Sequence, residues 1–102
     1  MELISFAELE PGLDLPKLAD SIESRPYPHK EEIIRYLLNG EVYFISLSLP
    51  KDVFTGERIP MSDRVMQDGD YYWPTLLAWY VEKYNVRLPR EFEEHILSRM
   101  ET

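Results

Sequence analysis

Cysteine is absent from this chain of 102 residues, which excludes disulfides, thiolate metal sites and cysteine nucleophiles. Long hydrophobic runs are absent too, since none approaches the ~20 residues of a membrane-spanning helix. The N-terminus, MELISFAELE, lacks the basic stretch of a signal peptide. We therefore expect one soluble domain over residues 1–102, most simply in the cytoplasm and without membrane contact.

Basic charge is also scarce. Lys and Arg number 11 against 19 Asp and Glu, which gives a formal net charge of −8. Direct nucleic-acid binding depends on clustered Lys and Arg side chains that face the phosphates, so we expect none here. The acid excess favours a basic protein partner, or serves only solubility.

The motifs of common catalytic sites are missing as well. The 4 glycines stand alone, so no glycine-rich phosphate loop is present, and no serine lies in a nucleophile elbow. The 2 histidines, His29 and His95, are far apart in the chain. We predict no catalytic residue, no cofactor and no metal ligand.

Two weaker metal hypotheses stay open beside that prediction. His95 lies one helical turn after Glu91, which allows a carboxylate–imidazole pair, although a metal would need further ligands from elsewhere. Asp63, Asp68 and Asp70 lie close together in the sequence, but without the spacing of an EF-hand calcium loop. The simpler interpretations are an exposed helix histidine among acids and a solvated or protein-binding acidic loop.

The hydrophobic pattern predicts an α+β domain, with about four helices packed on a small, mostly antiparallel sheet. The predicted helices cover residues 16–24, 28–39, 74–84 and the segment that begins at Pro89. In the last of these, Phe92, Ile96, Leu97 and Met100 form the expected buried stripe. Gly40 and Asn85 suit left-handed residues at the ends of two helices.

Strands are less clearly marked. Residues 3–6 suggest a short strand or turn, and residues 41–49 a strand with Tyr43, Ile45, Leu47 and Leu49 on one face, towards the core. A further strand near residues 57–60 is suggested by the preceding Thr-Gly turn. Residues 61–70 are polar and acidic, and predict a surface loop.

Residues 68–73 (DGDYYW) are the most distinctive segment, because two acids and a glycine precede three aromatic residues. If the segment is extended, Tyr71 and Trp73 point to one side and Tyr72 to the other. At least one ring is then expected in solvent beside carboxylates, a composition typical of protein interfaces. Alternatively, Trp73 and Tyr71 pack beneath the following helix and the acids keep the loop soluble.

Residues 68–96 combine an Asp-Gly turn, an aromatic segment ending in Trp-Pro, the helix sequence YVEKY, then Val-x-Leu-Pro and a second helix. This pattern resembles small acidic bacterial immunity proteins that are encoded beside secreted or contact-delivered toxins. The resemblance covers less than a third of the chain. It implies an inhibitor of a cognate toxin and carries over no catalytic residue.

The sequence thus predicts a non-catalytic immunity protein that neutralises a basic, nuclease-type toxin domain, as a monomer or weak homodimer. The predicted partner-binding residues are Asp63, Asp68 and Asp70 for electrostatic steering, Tyr71 and Tyr72 as anchors, and Glu57, Asp20 and Glu23 as secondary contacts. The alternatives are a regulatory or oligomerisation module that binds another basic protein, and a small metal-dependent enzyme.

Overall fold

Helices and strands are interspersed along the chain in a computed structural model that describes residues 1–46 and 49–100. The elements are β1 (Glu2–Leu3), a 3-10 helix (Ala19–Ser21), α1 (Lys30–Leu38), β2 (Glu41–Ile45), β3 (Arg64–Asp68), β4 (Tyr71–Pro74), α2 (Leu76–Tyr84) and α3 (Arg90–Met100). The α+β class is confirmed. The described residues contain three α-helices, slightly fewer than the four expected.

The sheet is mixed, with the strand order β1-β4-β3-β2. β3 pairs antiparallel with both β2 and β4, whereas β1 pairs parallel with β4. Met66 of β3 lies opposite Trp73 of β4, and both side chains are buried. Because side chains alternate across a strand, this pair marks the face of the sheet that packs on the helices.

Trp73 is the centre of the core. Its side chain is fully buried, and its indole Nε1–H donates a hydrogen bond of 3.0 Å to the carbonyl of Leu37. The ring stacks on Tyr36 and contacts Phe92, with centroid distances of 5.2 and 5.3 Å. Trp73 therefore joins β4 to α1 and α3. The alternative interpretation of the DGDYYW segment expected Trp73 to be buried, but beneath the following helix, whereas these contacts are with α1 and α3.

Gly40 does not have the left-handed conformation that the sequence predicted, since the positive-φ glycines are Gly12, Gly56 and Gly69. A Cβ atom at Gly40 would lie 2.9 Å from Cζ2 of Trp73 and 3.2 Å from Cβ of Met66. Close packing against the indole, rather than a helix cap, is thus the reason for glycine at this position.

The helix predicted over residues 16–24 is reduced to the single 3-10 turn Ala19–Ser21. Leu18, just before it, is fully buried. The Glu8 carboxylate accepts hydrogen bonds from the backbone N–H groups of Leu18 and Ala19, at 2.7 and 3.0 Å. These are the first N–H groups of the turn, which have no acceptor within a helix, so Glu8 caps its N-terminus. The turn ends because Ile22 is extended and forms a bridge with Val86.

Two predictions between residues 57 and 70 were wrong. Residues 64–68 form the central strand β3 instead of a surface loop, and residues 57–60 form only an isolated bridge, between Lys51 and Arg58. Only Met66 of β3 is fully buried. A single buried apolar residue among polar neighbours is a weak strand signal, which explains the error.

The strand β2 is confirmed, but its predicted orientation was wrong. Tyr43 and Ile45 are 55% and 56% exposed instead of buried, and Leu49 is 69% exposed. Leu47 lies outside the described residues. β2 is at the edge of the sheet, where its side chains are left in solvent.

The remaining helices largely follow the sequence pattern. Asn85 caps α2 in the left-handed conformation, with φ at 54°. α1 begins at Lys30 rather than at Pro28, because the intervening His29 is left-handed, with φ at 65°. In α3, Phe92 and Ile96 are buried as predicted, whereas Met100 is exposed.

Candidate protein-binding surface

One face of the sheet carries a cluster of apolar side chains, of which Met1, Tyr43 and Phe44 are exposed and Val65 and Tyr72 half-buried. Phe44 of β2 lies opposite Val65 of β3, and the rings of Tyr43 and Tyr72 are 6.3 Å apart. A shallow depression of about 500 Å3 is lined by these residues: Met1, Tyr43, Phe44, Val65 and Tyr72. We call these five residues the open sheet face. They lie on the side of the sheet opposite Met66 and Trp73, away from the helices.

A β-bulge concentrates the aromatic rings on this face. The pairing of β2 with β3 shifts between Val42 and Phe44, so that Tyr43 and Phe44 are both directed to the open sheet face. Val42 and Ile45 point to the opposite side, and they are nevertheless 44% and 56% exposed. β2 is therefore accessible on both of its faces, with apolar side chains on each.

Carboxylates gather at the end of the sheet where β3 turns into β4. The backbone N–H of Glu2 donates to the carbonyl of Asp70 at 2.7 Å, and Glu41 accepts a hydrogen bond from Gln67 at 3.2 Å. Partial burial, and then the charges of Glu2, Glu91 and Asp70, raise the pKa of Tyr71. The predicted residue Asp70 thus belongs to an acidic end of the sheet. Glu2 and Glu91 lie there on the side of Tyr71 and the helices, whereas Glu41, opposite Gln67, is on the side of the open sheet face.

Asp68, also predicted to bind a partner, is engaged inside the domain. Its carboxylate accepts hydrogen bonds from Tyr36 Oη at 2.6 Å and Arg99 Nη2 at 3.1 Å, and lies 3.2 Å from His95 Nε2. Burial opposes its ionisation, but the bonds from Tyr36 and His95 and the charge of Arg99 outweigh it and lower the pKa of Asp68. Asp68 therefore ties β3 to α1 and α3, and Arg99 balances its charge.

The tyrosines predicted as anchors lie on opposite faces of β4. Tyr72 belongs to the open sheet face, whereas the half-buried Tyr71 packs on Phe92 and His95, with centroid distances of 5.1 and 4.9 Å. His95 is 20% exposed, so the expectation of an exposed helix histidine was wrong. Of this pair, only Tyr72 contributes to the candidate surface.

Asp63 lies near the end of β2, where its carbonyl accepts a hydrogen bond of 2.9 Å from the Ser46 N–H. Its Oδ1 is buried and has no hydrogen-bond partner among residues 1–46 and 49–100, and burial raises the pKa of Asp63. Burial and the nearby Asp63 charge also raise the pKa of Glu10. The ionised Asp63 is thus unfavourable to the fold at neutral pH.

Replacing Asp63 with asparagine is expected to raise the stability of the domain at pH 7 by about 1 kcal/mol, or a few degrees in Tm. The pKa of Asp63 is raised in the folded state. At pH values below its unfolded-state pKa the side chain is protonated and is best tolerated, and as the pH rises through the folded-state pKa it ionises and destabilises the fold. Thermal unfolding of both proteins at pH 7 and near pH 3.5 measures this.

The control for that measurement is Asp70→Asn, at an exposed carboxylate, which is expected to change Tm little at either pH. A gain from Asp63→Asn that persists unchanged in acid contradicts the explanation, because it does not follow the ionisation of Asp63.

Glu57, Asp20 and Glu23 do not join the open sheet face. Glu57 is exposed in the loop between β2 and β3, where its backbone N–H donates to Thr55 Oγ1. Asp20 and Glu23 line a separate depression of about 240 Å3, together with Arg87. Among the predicted partner-binding residues, Tyr72 is on the candidate surface, Asp70 is in the turn between β3 and β4 and Asp63 is at the end of β2.

Asp52 organises a second cluster that the sequence analysis missed. This carboxylate is only 3% exposed and accepts hydrogen bonds from Trp79 Nε1 at 2.9 Å and Tyr84 Oη at 2.7 Å. The backbone N–H groups of Phe54 and Thr55 also donate to it. Asp52 precedes Phe54 and Thr55 by two and three residues. This is the spacing of an Asx turn, and it was the signal in the sequence that could have indicated the cluster.

The described part of the chain gives no support for a metal centre, since no three His, Asp or Glu side chains in it are grouped to hold an ion. In residues 1–46 and 49–100, no helix has the length and apolar character needed to cross a bilayer. No family model, curated protein or solved structure matches the sequence.

Proposed function

We propose that this chain is a non-catalytic cytoplasmic inhibitor that binds a basic protein domain through the open sheet face, as an immunity protein binds its toxin. The observation that carries the proposal is strand β2, in which all five residues are exposed and four are apolar. Exposed apolar residues are ordinary when they are isolated, whereas contiguous patches rimmed by polar groups mark interaction sites.

The composition of the surface supports a protein partner. Its centre is aromatic, with Tyr43, Phe44 and Tyr72, and the acid Glu41 lies at one end of β2. Buried aromatic anchors surrounded by a polar rim supply most of the binding energy in protein interfaces. The net charge of −8 favours a basic partner, since opposite charge accelerates encounter and disfavours other partners.

The resemblance to immunity proteins supports the biological role rather than the location of the interface. Trp73, Tyr80 and Phe92, which belong to the resembling segment, are fully buried. They build the scaffold. The proposed interface is instead centred on β2, which lies outside that segment.

The test is co-expression with the toxin domain encoded beside this chain, followed by measurement of the Kd of the purified pair. Wild-type chain is expected to restore growth. Phe44→Ser is expected to weaken binding by about 2 kcal/mol, or roughly 30-fold, because it removes an anchor.

The matched control is Phe54→Ser, at a phenylalanine that is 41% exposed and packs on Tyr80 and Tyr84 instead of joining the open sheet face. It is expected to change the Kd less than about threefold. Equal effects of the two variants, or a wild-type chain that neither protects nor binds, contradict the proposal.

A further inference from the structure

β2 combines an open edge with two accessible faces. Within the described residues the sheet ends at β2, so no further strand pairs with its outer side. Backbone N–H and C=O groups on such an edge form a template for another strand. Proteins usually protect long apolar edges with lysine, proline or a covering element.

Little of that protection is present here. Residues 41–45 (EVYFI) contain neither lysine nor proline, and their only irregularity is the bulge between Val42 and Phe44. Val42 and Ile45 offer apolar surface on one side, and Tyr43 and Phe44 offer it on the other. A strand added to this edge alternates its side chains between the two faces and so buries both pairs.

We infer that an extended segment of the partner protein adds to the outer edge of β2 as a fifth strand. The inference rests on the proposed function and specifies its mode of binding. Main-chain hydrogen bonds to β2 then supply affinity, and contacts with the side chains on both faces supply specificity.

The charges along β2 favour a segment with basic residues at one end. Glu41 begins β2 and Asp70 lies in the β3–β4 turn at the same end of the sheet, whereas Glu2 is on β1 at the opposite edge. The cations Arg58 and Arg64 lie at the other end, near Ile45, together with the half-buried Asp63. The basic residues of the added segment are therefore placed at the Glu41 end. A second copy of this chain fits less well, because each copy carries a net charge of −8.

The probe is a capped peptide of about nine residues that is valine-rich on both of its faces and carries lysines only at the end placed near Glu41. It is compared with the same peptide carrying glutamate for lysine. Amide NMR shifts and hydrogen exchange of residues 42–45 are followed during titration. The lysine peptide is expected to shift these amides and slow their exchange, and to bind at least about tenfold more tightly than the glutamate peptide. Slowed backbone exchange distinguishes strand addition from docking of side chains alone.

Two valines provide matched variants, since Val42 and Val53 are each 44% exposed. Val42→Lys is expected to lower the affinity for the lysine peptide by at least about tenfold, because it places a cation on the edge of β2. Val53→Lys, in the loop after β2, is expected to leave affinity unchanged within about twofold.

Equal binding of both peptides, binding without slowed exchange at β2, or absence of binding at about 1 mM overturns the inference. Dimerisation of the chain alone that Val42→Lys abolishes also overturns it, in favour of a second copy as the occupant. None of these outcomes decides the proposed function, which depends on protection against the toxin and on the effect of Phe44→Ser.

Discussion

Replacing Trp73 with alanine is expected to destabilise the domain by about 3–5 kcal/mol. The indole is fully buried, contacts Tyr36 and Phe92, and bonds to the Leu37 carbonyl, so the variant loses packing in the centre of the core. The total free energy of unfolding of a small domain is only about 5–15 kcal/mol, so the variant loses much of its stability. Urea unfolding followed by far-UV circular dichroism measures the change.

The companion variant is Trp73→Phe, which keeps most of the ring volume and removes the Nε1–H donor to Leu37. It is expected to cost less than the alanine variant, about 1–3 kcal/mol. A loss below about 1 kcal/mol for Trp73→Ala contradicts the central place of this residue in the core.

Replacing Asp52 with alanine is expected to cost about 3 kcal/mol or more. The change leaves the Trp79 and Tyr84 donors and two backbone N–H groups without their acceptor. The same urea measurement applies. Asp20→Ala, at an exposed acid, is the control and is expected to change stability by less than about 0.5 kcal/mol.

Asp52 also contributes to the pH dependence of stability. Burial opposes its ionisation, but the hydrogen bonds from Trp79, Tyr84 and the loop backbone outweigh it and lower the pKa of Asp52, while the Asp52 carboxylate raises the pKa of Tyr84 to about 12. A carboxyl group whose pKa is lower in the folded state stabilises the fold at pH values above its unfolded-state pKa. This contribution is lost as the pH falls through the folded-state pKa. Asp52→Asn is thus expected to flatten the acid side of the stability profile, and an unchanged slope contradicts this.

The helices could be predicted where one stripe of apolar residues repeats along the chain. Phe92 and Ile96 in α3 and the left-handed Asn85 after α2 followed from spacing and capping alone. The 3-10 turn at Ala19–Ser21 could not, because it ends where the extended Ile22 forms a bridge with the distant Val86. Local pattern does not show which distant segment a residue pairs with.

The candidate surface was only partly predictable for a related reason. Tyr72 and Asp70 were identified from the DGDYYW segment, and the structure places Tyr72 on the open sheet face and Asp70 in the turn between β3 and β4. Alternation within β2 showed a strand but not that it lies at the edge, since strand order depends on contacts between distant segments. Likewise, the partners of Asp68 come from α1 and α3, so its internal role was hidden.

Hydroxyl-radical footprinting of the chain, free and bound to the basic toxin domain that we propose as its partner, tests the location of the interface directly. Oxidation of Tyr43, Phe44 and Tyr72 is expected to fall several-fold on binding, because the partner excludes water from the open sheet face. Phe54, exposed elsewhere, serves as the internal reference and is expected to react equally in both states. Protection of Phe54 with unchanged oxidation of the three open-face rings contradicts the account.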